Sequence, residues 1–354
     1  MQRENTGRDA MTRAEQARPG SRRWRRATTA VLGVAMCLAA APLVHAVEDA
    51  PREAPSANKP SPDPAATWTS RDAAAYWTAD RMAAAAPAEG AAPAEPTAPE
   101  AGRDTAASSA PSAAPATRSA TRSAARSDAT ARHFGGIPSV GVLFSVDGDT
   151  KAHHCTASVV HSPHGNLILT AGHCNPGTRA AFVPQYRSGA TTQPYGVWAI
   201  DDTFAYPGRG TTGAAADLDF AFATVAPDED GRPLEEITGG NTLTATPGYT
   251  NDVTVVGYPN VRHDPEDRAV RCAARTSRLT GTHELRMECG GFYGGTSGSP
   301  WLTDFDEEKG TGRVIGLIGG LNGGGPKGPD SDRISYSPYF GAKVLDLYTR
   351  ASQA

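Results

Sequence analysis

The chain has 354 residues, with 34 Lys and Arg against 38 Asp and Glu, a formal net charge of −4. From residue 133 onward 17 basic side chains face 24 acidic ones, which argues against nucleic acid or an anionic membrane surface as partner of that part. Composition changes abruptly near the same residue, leaving about 222 residues, enough for one sizeable core or two small barrels sharing an interface.

Residues 1–26 are rich in arginine and end Ser21-Arg22-Arg23-Trp24-Arg25-Arg26, after which Ala27 to Leu43 is uncharged and mostly apolar. Val44-His45-Ala46 offers small residues at the cleavage positions, so residues 1–46 resemble a secretory signal peptide cut after Ala46. The apolar run is short and diluted by Ala, Gly and Thr, which weighs against an uncleaved membrane anchor. Arg25 and Arg26 stand where a twin-arginine export signal carries apolar residues, favouring the general export route. Cys37 follows Met36, where a lipoprotein signal would need a small residue.

Residues 47–132 are dominated by Ala, Pro, Ser and Thr and are expected to be a disordered pro-segment or linker. Tyr76-Trp77-Thr78-Ala79-Asp80-Arg81-Met82-Ala83 interrupts this texture and suits a short helix. The repeated Ala-Thr-Arg-Ser at 116–119 and 120–123, followed by Ala125-Arg126-Ser127, suggests a protease-sensitive stretch. A plain spacer is the alternative reading.

After Gly135-Gly136-Ile137-Pro138 come short runs rich in Val, Ile, Leu, Phe and Thr: 140–146, 157–160, 167–171, 181–183 and 220–225, then 253–258, 269–274, 284–289, 301–302 and 314–318. Turn residues punctuate them, the pattern of an antiparallel sandwich or barrel. Only 341–351, with Val344, Leu345, Leu347 and Tyr348, reads as a helix.

Three stretches carry candidate chemistry. Gly294-Gly295-Thr296-Ser297-Gly298-Ser299-Pro300-Trp301 is a serine among glycines. A serine hydroxyl is a poor nucleophile that needs a base and preorganised N–H donors, and Gly295 and Gly298 permit both close approach and positive φ. Leu167-Ile168-Leu169-Thr170-Ala171-Gly172-His173-Cys174 is a strand ending in a turn that carries a histidine, the side chain best matched to base work near neutrality. Asp217-Leu218-Asp219-Phe220-Ala221-Phe222 puts acids at the mouth of an apolar strand, where one could hold a histidine tautomer. Taken singly, each has a bland reading: a turn, a surface histidine, a strand-capping acid.

Their order along the chain, His then Asp then Ser, is that of the chymotrypsin arrangement. From about Gly136 to the C-terminus the chain resembles chymotrypsin/trypsin-like serine peptidases, most of all their secreted bacterial branch. The resemblance implies two antiparallel six-stranded β-barrels with a short C-terminal helix over residues 133–354. It implies His173 as base, Asp219 as orienting acid, Ser297 as nucleophile, and the N–H groups of Gly295 and Ser297 as oxyanion hole. Asp217 competes for the acid role, but only Asp219 is followed directly by the alternating apolar and small residues of the family strand. An α/β-hydrolase elbow would need glycine at Ser299 and another triad order.

Cys155, Cys174, Cys272 and Cys289 remain after signal removal and allow three pairings. The resemblance implies Cys155 with Cys174, leaving Cys272 with Cys289. Zinc is the rival use of His153, His154, Cys155, His173 and Cys174, but neither a C-x-x-C nor an H-x-x-x-H spacing is present. No metal or cofactor is called for. The resemblance puts the specificity pocket floor near Gly291 and the substrate-pairing strand at Gly319-Gly320-Leu321, with no acid at the floor to select Arg or Lys. The loop Asn322-Gly323-Gly324-Gly325 either rims the pocket or is a flexible connection. Thr296 stands where animal-type members carry the aspartate that receives a freed N-terminal ammonium, so the oxyanion loop must be held by other contacts.

The expectation is thus a secreted, monomeric endopeptidase acting on proteins or peptides, without stable membrane association. A protease-fold module that binds or adheres without catalysis is the rival from another class.

Overall fold

The computed structural model describes residues 67–87, 129–146 and 152–354. The expected signal peptide, Cys37, and residues 47–66 and 88–128 of the expected disordered segment lie outside the described residues.

The first barrel uses β3 (Val140–Val146), β4 (Ala152–Val159), β5 (Leu167–Thr170), β6 (Thr178–Pro184), β7 (Trp198–Ala205) and β8 (Ala221–Val225). Their order is β4-β3-β6-β7-β8-β5, and β5 pairs back onto β4, so the sheet closes on itself. Closure explains why β5 and β8 are buried along their whole length. The all-apolar run of β3 has a second cause. Leu143 points into the barrel core with Phe182 and Trp198. Val142, Phe144 and Val146 point outward, into a second cluster shared by residues 67–87 with Tyr186, Val256 and Tyr258.

The segment 67–87 begins with α1 (Ser70–Tyr76), opened by a capping box between Thr69 and Asp72, and continues with α2 (Ala79–Ala84), capped by Thr78. The short helix expected at 76–83 is therefore two helices broken at Trp77. The strand β1 (Ala86–Pro87) follows and pairs in parallel with His153 and His154 of β4.

The second half contains β2 (Arg132–His133), β9 (Thr242–Leu243), β10 (Asp252–Gly257), β11 (Val270–Arg275), β12 (Ser277–Arg278), β13 (Leu285–Glu288), β14 (Pro300–Asp306), β15 (Thr311–Leu317) and β16 (Ile334–Ser337). One sheet runs β2-β11-β10-β14-β15-β9 and another β12-β13-β16. Links between the two sheets include Gly319 N–H donating to Tyr336 O at 3.1 Å after β15, and the Cys272–Cys289 disulfide, which ties β11 to the end of β13. Val255, Leu285, Met287, Trp301 and Ile315 fill the space between. A short helix α3 (Leu234–Thr238) lies between the halves in sequence, and the C-terminal helix α4 (Ala342–Ala351) buries Val344, Leu347 and Ala351 in the core of the first barrel.

The disulfides are Cys155–Cys174 and Cys272–Cys289, the pairing that the family resemblance implies. They close loops of 19 and 17 residues, each worth roughly 3 kcal/mol in the chain-entropy model.

Candidate active site

The strand β5 delivers the chain into a 3-10 turn, Gly172–Cys174, that presents His173. The turn is anchored by the Cys174 disulfide and by Asp219. Asp219 is fully buried and accepts three N–H groups: His173 backbone N to Oδ1 at 2.7 Å, His173 Nδ1 to Oδ2 at 2.8 Å, and Gly320 N to Oδ2 at 2.7 Å. It sits between the 3-10 turn Gly213–Leu218 and β8. Asp217 stands on that turn, half-buried, and is not the partner of the imidazole. With Nδ1 donating to Asp219, His173 Nε2 is the atom left as acceptor, and it has no hydrogen-bond partner among the described residues.

Ser297 lies between Gly295, at φ +100°, and Gly298, at φ +88°. No side chain fits at either glycine. A Cβ on Gly298 would stand 2.1 Å from Thr156 O, and one on Gly295 2.9 Å from Asn260 N. Thr156 N donates to Ser297 O at 2.8 Å, and Cys174 Sγ is 3.9 Å from the same oxygen, which brings the Ser297 backbone against the histidine turn. The backbone N–H groups of Gly295 and Ser297 reach no acceptor among the described residues.

The loop is held without an acid at position 296. Thr296 Oγ1 donates to Tyr293 O at 2.7 Å, closing its own turn. Thr156 Oγ1 donates to Gly295 O at 3.0 Å and accepts from Tyr258 N at 3.0 Å. Asn260 N donates to Gly294 O, and Gly298 N to Ile318 O, at 2.8 and 2.7 Å.

A cleft of about 330 Å³ opens beside Ser297, walled by Phe292, Tyr293, Ile318, Lys327 and Ser335. The loop Asn322–Gly325 is part of its wall. Gly291, Gly319, Gly320 and Leu321 are not. Gly291 faces Ala131 instead, and Gly319–Leu321 lies just beyond the end of β15 at Leu317. The N–H groups of these three residues are already engaged by Tyr336, Asp219 and Glu284 respectively. Neither Asp330 nor Asp332 lines the cleft.

Sequence reasoning missed two buried polar residues here. Glu284, only 1% exposed, accepts Leu321 N–H behind Asp219, and burial lifts its pKa to about 7. Asn260, also 1% exposed, follows Pro259, a pairing typical of an ordinary turn. Cys155 and Cys174 are bonded to each other, which removes the thiolates that zinc would require. No group of His, Cys, Asp and Glu suited to a metal occurs among the described residues.

The fold is chymotrypsin-like. Residues 155–317 match the family model of the trypsin-like peptidase domain. The structure is similar to the crystal structure of the protease Anisep from Arthrobacter nicotinovorans, at 21% identity and a TM-score of 0.54, over 64% of this chain and all of that one. It is also similar to the thermostable serine protease AL20 from an extremophilic microorganism, at 22% identity and a TM-score of 0.50, over 61% of this chain and 98% of that one. No curated protein matches the chain in sequence. The domain match supports a protease function; the structural likenesses, at these identities, establish the fold.

Proposed function

We propose that the chain is an exported serine endopeptidase that cleaves peptide bonds through an acyl-enzyme. The observation that carries this reading is the double grip of Asp219 on His173, which fixes the tautomer and leaves Nε2 unpartnered on the turn packed against Ser297. His173 Nε2 takes the proton as Ser297 Oγ attacks the substrate carbonyl, and Asp219 stabilises the imidazolium. The N–H groups of Gly295 and Ser297 receive the oxyanion. The imidazolium then protonates the leaving amine, and water, activated by the same nitrogen, releases the acid product and restores the serine. Losing one oxyanion donor typically costs about 3 kcal/mol of transition-state stabilisation.

The substrate is a protein or peptide chain, and the peptidase domain spans residues 133–354. Export is supported by the arginine-rich, apolar leader at 1–46 and by the two disulfides. Among the described residues no helix is long and apolar enough to cross a membrane.

Stoichiometric labelling at Ser297 by a fluorophosphonate, with casein hydrolysis, tests the proposal. Ser297→Ala is expected to abolish both while the fold is retained. A variant that keeps more than a few per cent of wild-type turnover refutes the assignment.

A further inference from the structure

Residues 67–87 contribute nothing to the lining of the cleft beside Ser297. They are instead built into the back of the domain. Trp77 is 2% exposed, its ring 5.2 Å from Phe144, and its Nε1 donates to Arg179 O at 2.8 Å. Trp68 Nε1 donates to Ala180 O at 2.9 Å, and Met82 and Ala85 are buried in the same cluster. A segment that merely tethers two parts of a chain does not bury a tryptophan and satisfy two indole donors on a barrel strand.

The segment also reaches the loop that carries Ser297. Ala85 O accepts Asn260 Nδ2 at 2.6 Å, while Asn260 Oδ1 accepts Arg262 N at 3.0 Å and Asn260 N donates to Gly294 O at 2.8 Å. One buried asparagine thus joins the end of α2 to the residue preceding Gly295. A second route runs in parallel. Pro87 pairs with His154, whose Nε2 meets Tyr258 O at 3.0 Å and stands 3.2 Å from where a Gly295 Cβ would be. A buried amide with both ends hydrogen-bonded has one orientation, and that orientation depends on the Ala85 carbonyl.

We propose that residues 67–87 are an activating clamp belonging to the working enzyme, and that Asn260 is the positioning residue through which they hold the Gly294–Ser297 loop. The clamp remains seated when the chain is cut between residues 88 and 128. The proposal rests on Gly295 and Ser297 being the oxyanion donors of the preceding section.

The experiment uses the full chain carrying a site-specific cut sequence within 88–128, together with Asn260→Asp and Trp77→Ala. Asn260→Asp keeps Oδ1 for Arg262 but cannot donate to Ala85 O. It is expected to lower kcat on a peptide ester at least tenfold with KM within twofold, and to slow fluorophosphonate labelling of Ser297 in proportion. Trp77→Ala is expected to behave likewise. After the cut, the 67–87 fragment should co-elute with the domain and activity should persist. If mild denaturant displaces the fragment, activity should fall and return when a synthetic 67–87 peptide is added. Four results overturn the proposal: Asn260→Asp within twofold of wild type, an Asn260→Asp loss confined to KM, release of the fragment without loss of activity, or a rise in activity on release, which would make the segment an inhibitor. A wild-type chain inert to both casein and fluorophosphonate instead overturns the protease reading itself.

Discussion

Glu284→Gln offers a quantitative test of the environment behind Asp219. Burial lifts the Glu284 carboxyl to a pKa of about 7, against 4.5 for the free side chain; the Leu321 N–H opposes that rise and the charges of Asp217 and Asp219 add to it. The folded chain therefore holds this proton more tightly than the unfolded chain does. Between about pH 4.5 and pH 7 the unfolded state has released the proton and the folded state has not, so stability falls as pH rises through that window and is level above it. The interval amounts to at most about 3 kcal/mol. Glutamine has the shape of the neutral acid and no proton to lose. In a Ser297→Ala background that prevents self-digestion, the Gln variant is expected to match wild type near pH 4.5 and to exceed it progressively, by up to about 3 kcal/mol, at pH 8. Urea unfolding followed by tryptophan fluorescence at four pH values measures this. A stability difference that does not change with pH shows that Glu284 ionises as freely folded as unfolded, and refutes the reasoning.

Asp219→Asn should leave the chain folded and lower kcat by about 10³–10⁴-fold, because an amide cannot accept from His173 Nδ1 and stabilise its cation together; a loss under tenfold on a peptide ester contradicts the assigned role. No acid lines the cleft while Lys327 does, so profiling on a mixed peptide library should show no enrichment of Arg or Lys before the cut, and strong enrichment would mean that another pocket is used. A chain beginning at His133 loses both the 67–87 cover and the bond from Ala131 N to Gly290 O. Its kcat should fall well below that of the full chain and be the same with a free or a tagged terminus, since His133 is held by its β2 pairing with Val270 and its side-chain contact with Asp264 rather than by its amine. A tenfold advantage of the free terminus would show a role for the amine.

The elements most legible in the sequence were those whose apolar runs are unbroken. The run 140–146 coincides with β3, and the helix expected at 341–351 is α4 within a residue. The strand β7 was missed because Asp201 and Asp202 interrupt its pattern, and they do so at the register shift between Ile200 and Thr203, where a bulge turns both acids to solvent. The strand β16 is four residues long and follows a Gly- and Asp-rich loop, too brief to establish a period. The glycines around Ser297 were legible because positive φ and close packing there demand glycine, while Ser297 and His173 stood out by their sequence context. Glu284 and Asn260 were not, since an acid beginning a strand and an asparagine after proline look like solvent-facing residues until the tertiary fold buries them. The pocket positions 291 and 319–321 were placed by resemblance; their neighbours Phe292, Ile318 and Asn322 line the cleft beside Ser297.

The outward face of β3 has a consequence for the handling of the protein. Without residues 67–87, the outward face of β3 around Phe144 would lose the Trp77 side of its cover, and β4 would present unpaired backbone at His153 and His154 where β1 now lies. An uncovered apolar face beside an open strand edge is a template for self-association. A chain trimmed to begin between residues 87 and 140 would therefore be prone to aggregate. Solubility would then depend on residues 67–87, which lie ahead of β2 and outside the stretch 155–317 matched by the family model.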